Sequence, residues 1–284
     1  MASPATLLVR SAHPGPTAAV TVLAVVLGVG VGLPAGTLVL LALAILAGQL
    51  SIGWSNDWID AERDTAVGRT DKPVAQGLLD AGAVRTAALA AAGATVVLSF
   101  ALGLAAGAVH VVLVASGWSY NAGLKRTPFS VVPFMVSFGL LPAVVTLALP
   151  DPAPPAAWAV VVGAVLGIAI HFTNVLPDLA DDAATGVAGL PHRVGRRVSG
   201  LVAFGALALA AVVAGVGPAL GQGGIPVITV VGVLAAVSIA VWGAVLVLTR
   251  PPGRLLFQLI IVASLLLATQ LALSGTRLVA ELGP

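Results

Sequence analysis

Apolar residues in this chain come in long runs of Ala, Val and Leu, interrupted by short polar breaks. About 20 such residues in a row make a helix long enough to cross the hydrocarbon of a bilayer. The pattern predicts spans near residues 17–33, 35–55, 82–102, 104–122, 130–149, 156–176, 199–218, 225–249 and 255–279, nine in all. Connections such as Leu33-Pro34-Ala35-Gly36 and 103–107 are so short that they read as tight turns between antiparallel helices. Gly and Ala recur in nearly every span, as close helix packing in lipid requires. The expected fold is an all-α membrane protein, nine transmembrane helices in one bundle, with residues 1–284 as a single polytopic domain. Residues 1–16, with Arg10 and His13, read as a polar segment outside the bilayer. A signal peptide is the poorer reading of that segment, because no soluble mature domain follows it.

Composition agrees with this picture. Of 284 residues, 59% are hydrophobic and 8% charged, and the mean hydropathy of +1.09 is unlike that of a soluble domain. There is no cysteine, which excludes disulfides and thiolate chemistry. A net charge of +2 with an isoelectric point near 9.7 raises nucleic acid as a partner. The sequence has no basic stripe or aromatic platform of that kind, so no nucleic acid is expected. The basic residues are better explained by topology. With a cytoplasmic N-terminus, twelve of the thirteen fall on the cytoplasmic side, leaving Arg277 opposite. The long polar loops 56–81 and 174–198 lie on that same side, whereas the other side has short turns or Asp151 among prolines.

Those loops hold the chemistry. The stretch from Asn56 to Asp64 packs four of the eleven acidic residues into nine positions. Read as a helix, Asn56, Asp60 and Asp64 form one stripe at i, i+4, i+8, with Asp57 beside it. Like charges this close need something positive among them, and a hard divalent cation such as Mg2+ suits oxygen ligands. Asn174, Asp178 and Asp182 repeat the same order, with Asp181 as an extra acid. Asn56 and Asn174 are 118 residues apart, each at the cytoplasmic end of an even-numbered predicted span, which suggests a weak internal duplication with the two stripes as facing walls.

The residues at this point resemble the UbiA-type intramembrane prenyltransferases. The first family signature, Asn-Asp-x-x-Asp-x-x-x-Asp, is complete at Asn56, Asp57, Asp60 and Asp64. The basic, proline-containing stretch that follows it in the family is matched by Arg69 to Gly77, with Lys72 where Arg is common. The second signature is met by Asp178, Asp182, Gly186, Leu190, Pro191 and Gly195. Between them, Tyr120-Asn121-Ala122-Gly123-Leu124-Lys125 is one residue longer than the shortest family form of the Tyr and Lys motif.

The resemblance implies an enzyme that ionises a prenyl diphosphate with Mg2+ and passes the prenyl group to an aromatic or other lipophilic acceptor. Asn56, Asp60 and Asp64 would hold one Mg2+, and Asp178 and Asp182 another, with the diphosphate between them. Asp57 either binds the ion directly or steadies a ligand. Lys125, Arg126, Lys72, Arg69 and Tyr120 would meet the diphosphate, with Arg193 or Arg196 as further candidates. The protein is then expected in the plasma membrane with its active-site loops cytoplasmic. Within the same fold, a terpene cyclase would ionise the same diphosphate without an acceptor. A transporter or scaffold is the reading from another class, disfavoured because the acids cluster at one membrane face rather than in broken helices at the midplane. Glu62 and Arg63 are expected on the outer face of their helix. His110 and His171 are expected to be buried and satisfied by neighbouring helices.

Overall fold

The structure, a computed structural model, describes residues 3–179, 186–219, 226–249 and 254–280. Eleven helices account for most of them: α1 (Pro4–Ser11), α2 (Pro14–Gly30), α3 (Ala35–Ile59), α4 (Ala61–Ala66), α5 (Ala81–Ala101), α6 (Leu104–Ala122), α7 (Val132–Thr146), α8 (Ala157–Val175), α9 (Leu190–Val216), α10 (Val227–Thr249) and α11 (Arg254–Leu273). Among the described residues there is no strand, only one isolated bridge between Pro155 and Val279. Five helices, α3, α5, α8, α9 and α10, are long and apolar enough to cross a membrane, and α1 with α2 would add a sixth as one bent span. α7 and part of α11 are apolar but shorter. The chain is an integral membrane protein. With 25 residues, α3 is about 37 Å long at the helical rise, more than the roughly 30 Å hydrocarbon layer needs.

Local sequence sets the helix ends. Ser3 caps α1 by accepting from Thr6 N–H, with Pro4 following it at the first position, and Asp80 does the same for α5 through Ala83 N–H at 2.8 Å. α6 ends at Gly123, whose φ of 151° only glycine adopts readily, and the chain turns there into the Leu124–Arg126 turn that carries Lys125. Gly195, with φ of 78°, breaks α9 near its start, so the first turn points away from the long helical run.

Helices packed in chain order form a ring: α2 on α3, α3 on α5, α5 on α6, and so on to α11, which returns to α2. The segment after α11 is tied to the connection between α7 and α8, where Ala156 N–H donates to Leu278 C=O at 2.7 Å and Ala280 N–H to Pro154 C=O at 2.9 Å. Its core includes Leu41, Ile45, Leu113, Leu141, Leu166, Phe204 and Leu207, all buried. The outward faces carry Val29, Val39, Val97, Leu104, Val227, Leu234 and Leu265, all exposed, as a surface in contact with lipid tails must be. Between α7 and α8 the backbones touch: Gly167 sits against Phe134 C=O and Gly163 against Phe138 C=O.

Candidate active site

The acidic stripe lies where α3 gives way to α4. The helix the sequence predicts through Asn56 to Asp64 is interrupted: α3 stops at Ile59, Asp60 sits at the junction and α4 begins at Ala61. Backbone spacing survives the break, because Asp60 N–H still bonds Asn56 C=O at 3.0 Å and Asp64 N–H bonds Asp60 C=O at 2.8 Å. Asp57, Asp60 and Asp64 are buried, at most 2% exposed.

Buried carboxylates require partners, and three cations supply them. Lys125 places Nζ 2.5 Å from both oxygens of Asp60. Lys72 Nζ lies 2.7 Å from Asp64 Oδ2, 3.0 Å from Asp57 Oδ1 and 3.2 Å from Asn56 Oδ1. Arg63 reaches Asp64 Oδ1 at 3.0 Å and Asp60 Oδ2 at 3.2 Å. Arg63 therefore faces the stripe, against the expectation that it sits on the outer face. The signal was in the sequence, since Arg63 is three residues beyond Asp60 and adjacent to Asp64.

Burial disfavours the charge of Lys72, but the carboxylates of Asp57 and Asp64 outweigh it and push the ammonium's pKa up. At Lys125 burial is the larger influence and pushes the pKa down, although Asp60 pulls the other way. Asp60 is thus the acid that favours the charged form of Lys125. Outside the cluster, Arg69 binds Asp71 through two contacts of 2.8 Å and, by that hydrogen bond, holds its carboxyl at about 2, below the ordinary 3.8. This depressed value means that the pair's contribution is fully present above the ordinary value of 3.8 and is lost as pH falls from there through about 2.

Asn56 is oriented by a residue the sequence reading passed over. Asn121 on α6 is 3% exposed; its Nδ2 donates to Ile52 C=O at 2.9 Å and to Ser55 Oγ at 2.8 Å, leaving its Oδ1 to accept from Asn56 Nδ2 at 3.1 Å. The Asn56 amide oxygen is thereby left facing a cation. Ser11 and His13 were also missed: they bind Asp57 from α1 and its junction with α2, at 2.8 and 3.1 Å.

Tyr120 stands edge-on to Phe134 at 5.1 Å and to His171 at 5.8 Å. His171 is buried, with Nε2 3.0 Å from Ser130 Oγ, and His110 pairs through Nδ1 with Ser99 Oγ at 2.6 Å on α5. Each histidine is met at one ring nitrogen by a neighbouring segment, but His110 Nε2 and His171 Nδ1 are buried with no hydrogen-bond partner among the described residues, so the expectation that neighbouring helices satisfy them holds only in part. Arg126 is exposed, as are Arg193, Arg196 and Arg197. A groove of about 580 Å³ beside α4, lined by Glu62, Thr65, Val74, Leu78 and Asp80, includes none of the stripe's carboxylates.

Of the second motif, the backbone reaches Asp178 at the end of a 3-10 turn continuing α8. The side chain of Asp178, and Asp181 and Asp182 altogether, lie outside the described residues. The flanks do approach the first cluster's neighbourhood: Leu190 N–H donates to Ser130 Oγ at 2.9 Å, and a Cβ added to Gly189 would stand 2.6 Å from Lys125 C=O. Among the described residues, no three carboxylates or histidines are grouped to hold one metal ion. The donor set nonetheless fits a hard cation, because Asn56, Asp60 and Asp64 offer oxygens that positive head groups already engage.

A ring of membrane helices with a buried, charge-balanced cluster at one helix end defines an intramembrane protein built to hold anionic and cationic groups together. The sequence profile of the UbiA prenyltransferase family matches residues 17–274, and the chain belongs to that family. No curated protein matches it. In fold it is similar to a UbiA homologue from Archaeoglobus fulgidus bound to GPP and Mg2+, with TM-score 0.69, 14% identity and coverage of 94% of this chain and 99% of that one. The apo UbiA homologue from Aeropyrum pernix K1 is similar at TM-score 0.67 and 13% identity, over 95% and 98% of the two chains. A structure of digeranylgeranylglyceryl phosphate synthase matches at TM-score 0.67 and 14% identity, over 95% and 97%.

Proposed function

We propose that this chain is a Mg2+-dependent intramembrane prenyltransferase that ionises a prenyl diphosphate and transfers the prenyl group to an aromatic or other lipophilic acceptor. The observation that carries the reading is the buried cluster in which Asp60 and Asp64 are neutralised by Lys125, Lys72 and Arg63 at the ends of α3 and α6. The family's structural relatives with GPP or DMAPP and Mg2+ bound support it. In this reading Asn56, Asp60 and Asp64 hold one Mg2+, and Asp178 and Asp182 a second. Bound there, the metal supplies charge neutralisation to a diphosphate leaving with the electron pair of its carbon–oxygen bond.

The chain's own cations complete the arrangement. Lys72 and Lys125, now bound to carboxylates, donate to phosphate oxygens instead when substrate arrives, so the cluster exchanges one set of ion partners for another. Arg63 remains with Asp60 and Asp64 and limits their mutual repulsion. In this reading Arg69, Arg126 and Tyr120 also meet the diphosphate, at its rim. Apolar helices around the prenyl tail exclude water while the allylic cation waits for the acceptor's carbon or oxygen. In this reading α2, α3 and α5 to α11 all cross the bilayer, the shorter α7 through local thinning. The charge asymmetry of the loops supports a cytoplasmic orientation for the cluster, and the reading assigns the protein to the plasma membrane.

The test is diphosphate release by the purified protein in nanodiscs, offered prenyl diphosphates of several chain lengths with an extract of lipophilic acceptors. Release should require Mg2+ and fall at least about a hundredfold when EDTA removes it. A prenylated acceptor identified by mass is the expected product. A cyclised hydrocarbon formed without acceptor would replace transferase by cyclase, and no release under any condition would overturn the enzymatic reading.

A further inference from the structure

The N-terminal segment is seated on the site rather than beside it. Ser11 and Ala12 are at most 1% exposed. α3 makes room for them at Gly53, where an added Cβ would stand 2.5 Å from Ala12 C=O. One turn away in space, Trp54 Nε1–H donates to Leu8 C=O at 2.9 Å. Between α1 and α2, whose axes differ by 67°, His13 takes a left-handed conformation with φ of 50°, unusual for a residue with a side chain. That turn delivers its ring to Asp57.

Both oxygens of Asp57 are consequently engaged, and two of its partners come from the N-terminal segment. Oδ2 accepts from Ser11 Oγ at 2.8 Å, and Oδ1 lies 3.1 Å from His13 Nε2 and 3.0 Å from Lys72 Nζ. Asp60 and Asp64 differ, because Lys and Arg side chains are the described partners of their carboxylates. Lys72 in turn rests on Asn56, Asp57 and Asp64. If Asn56 and Asp64 turn to a metal, Asp57 is the one acid still holding that ammonium.

We propose, resting on the diphosphate-dependent reading above, that Asp57 is a positioning residue and not a metal ligand. Ser11 and His13 latch it, and it fixes where Lys72 meets the diphosphate. The N-terminal segment thereby becomes part of the substrate site. The latch predicts that loosening α1 weakens capture of diphosphate without altering metal demand.

Asp57→Asn, Ser11→Ala and the Ser11→Ala/His13→Gln double variant would be compared with Asp64→Asn in nanodiscs. Amine-reactive labelling of Lys72, read by mass spectrometry without substrate or metal, should rise several-fold in the three latch variants, together with hydrogen exchange across residues 3–13. In turnover, KM for geranyl diphosphate should rise about tenfold, as loss of one charge-assisted contact implies. kcat and the Mg2+ concentration for half-maximal rate should stay near wild type, whereas Asp64→Asn should shift the Mg2+ requirement. Unchanged Lys72 labelling would overturn the latch whatever the activity. A Mg2+ shift in Asp57→Asn matching that of Asp64→Asn, with Ser11→Ala silent, would make Asp57 a metal ligand. If Asp57→Asn does not fold, the double variant carries the test, because it leaves every acid in place. Wild-type protein that labels as expected but releases no diphosphate would refute the enzymatic reading and leave the latch standing.

Discussion

Asp60→Asn is expected to lower diphosphate release roughly a thousandfold, the size of effect seen when a charge-stabilising group is removed at a reacting centre. The same variant should also lose stability. Lys125 is 5% exposed and both of its short contacts go to Asp60, so the substitution leaves a buried ammonium without its counter-charge. Breaking one side of a buried pair costs about 3–5 kcal/mol. Activity alone would not separate these effects. The double variant Asp60→Asn/Lys125→Met removes both charges and should regain most of the thermal stability while remaining inactive. Thermal unfolding in detergent, read beside turnover in nanodiscs, checks both halves. Recovery of turnover in the double variant would show that Asp60 serves packing and not chemistry.

The second large effect is expected far from the charges. Gly167→Ala should destabilise the bundle by about 3 kcal/mol, toward the upper end of what overpacking costs. Its new methyl would fall within contact of Phe134 C=O and 2.7 Å from the Phe134 carbonyl carbon, so α7 and α8 must separate. Backbone yields less than a flexible side chain tip. The strain would also reach the site, because Phe134 lies 5.1 Å from Tyr120 and 4.9 Å from His171. Gly93→Ala is the matched control: nothing stands within 4 Å of its added Cβ, and Ala should improve α5 by several tenths of a kcal/mol or more. Equal melting temperatures for the two variants would show that α7 and α8 do not pack on glycine.

What the sequence made legible follows from the range over which each signal acts. Apolar runs are local, and helices lie on the segments they marked. The i, i+4 spacing of Asn56, Asp60 and Asp64 correctly placed these residues together, even though Asp60 interrupts the helix. The need for positive charge among them was also readable. Which cations would supply it was not, because Lys125 reaches Asp60 across 65 residues and Ser11 reaches Asp57 across 46. Such contacts leave no trace in local spacing. Arg63 is different: it was close enough in sequence to be found, and the outer-face expectation failed because the buried acids demanded a cation more strongly than water attracted the guanidinium. Local spacing also does not show that the turn at Gly123 carries Lys125 to Asp60 while the Tyr120 ring meets Phe134.

The described partners of Asp57, Asp60 and Asp64, namely Ser11, His13, Arg63, Lys72 and Lys125, are encoded before residue 126. During synthesis, these acids can therefore find counter-charges as soon as α6 has emerged, before α7 to α11 exist. A chain truncated after Arg126 and inserted into nanodiscs should already protect Lys72 from labelling. The growing protein would then present the translocation machinery with neutralised groups instead of bare carboxylates.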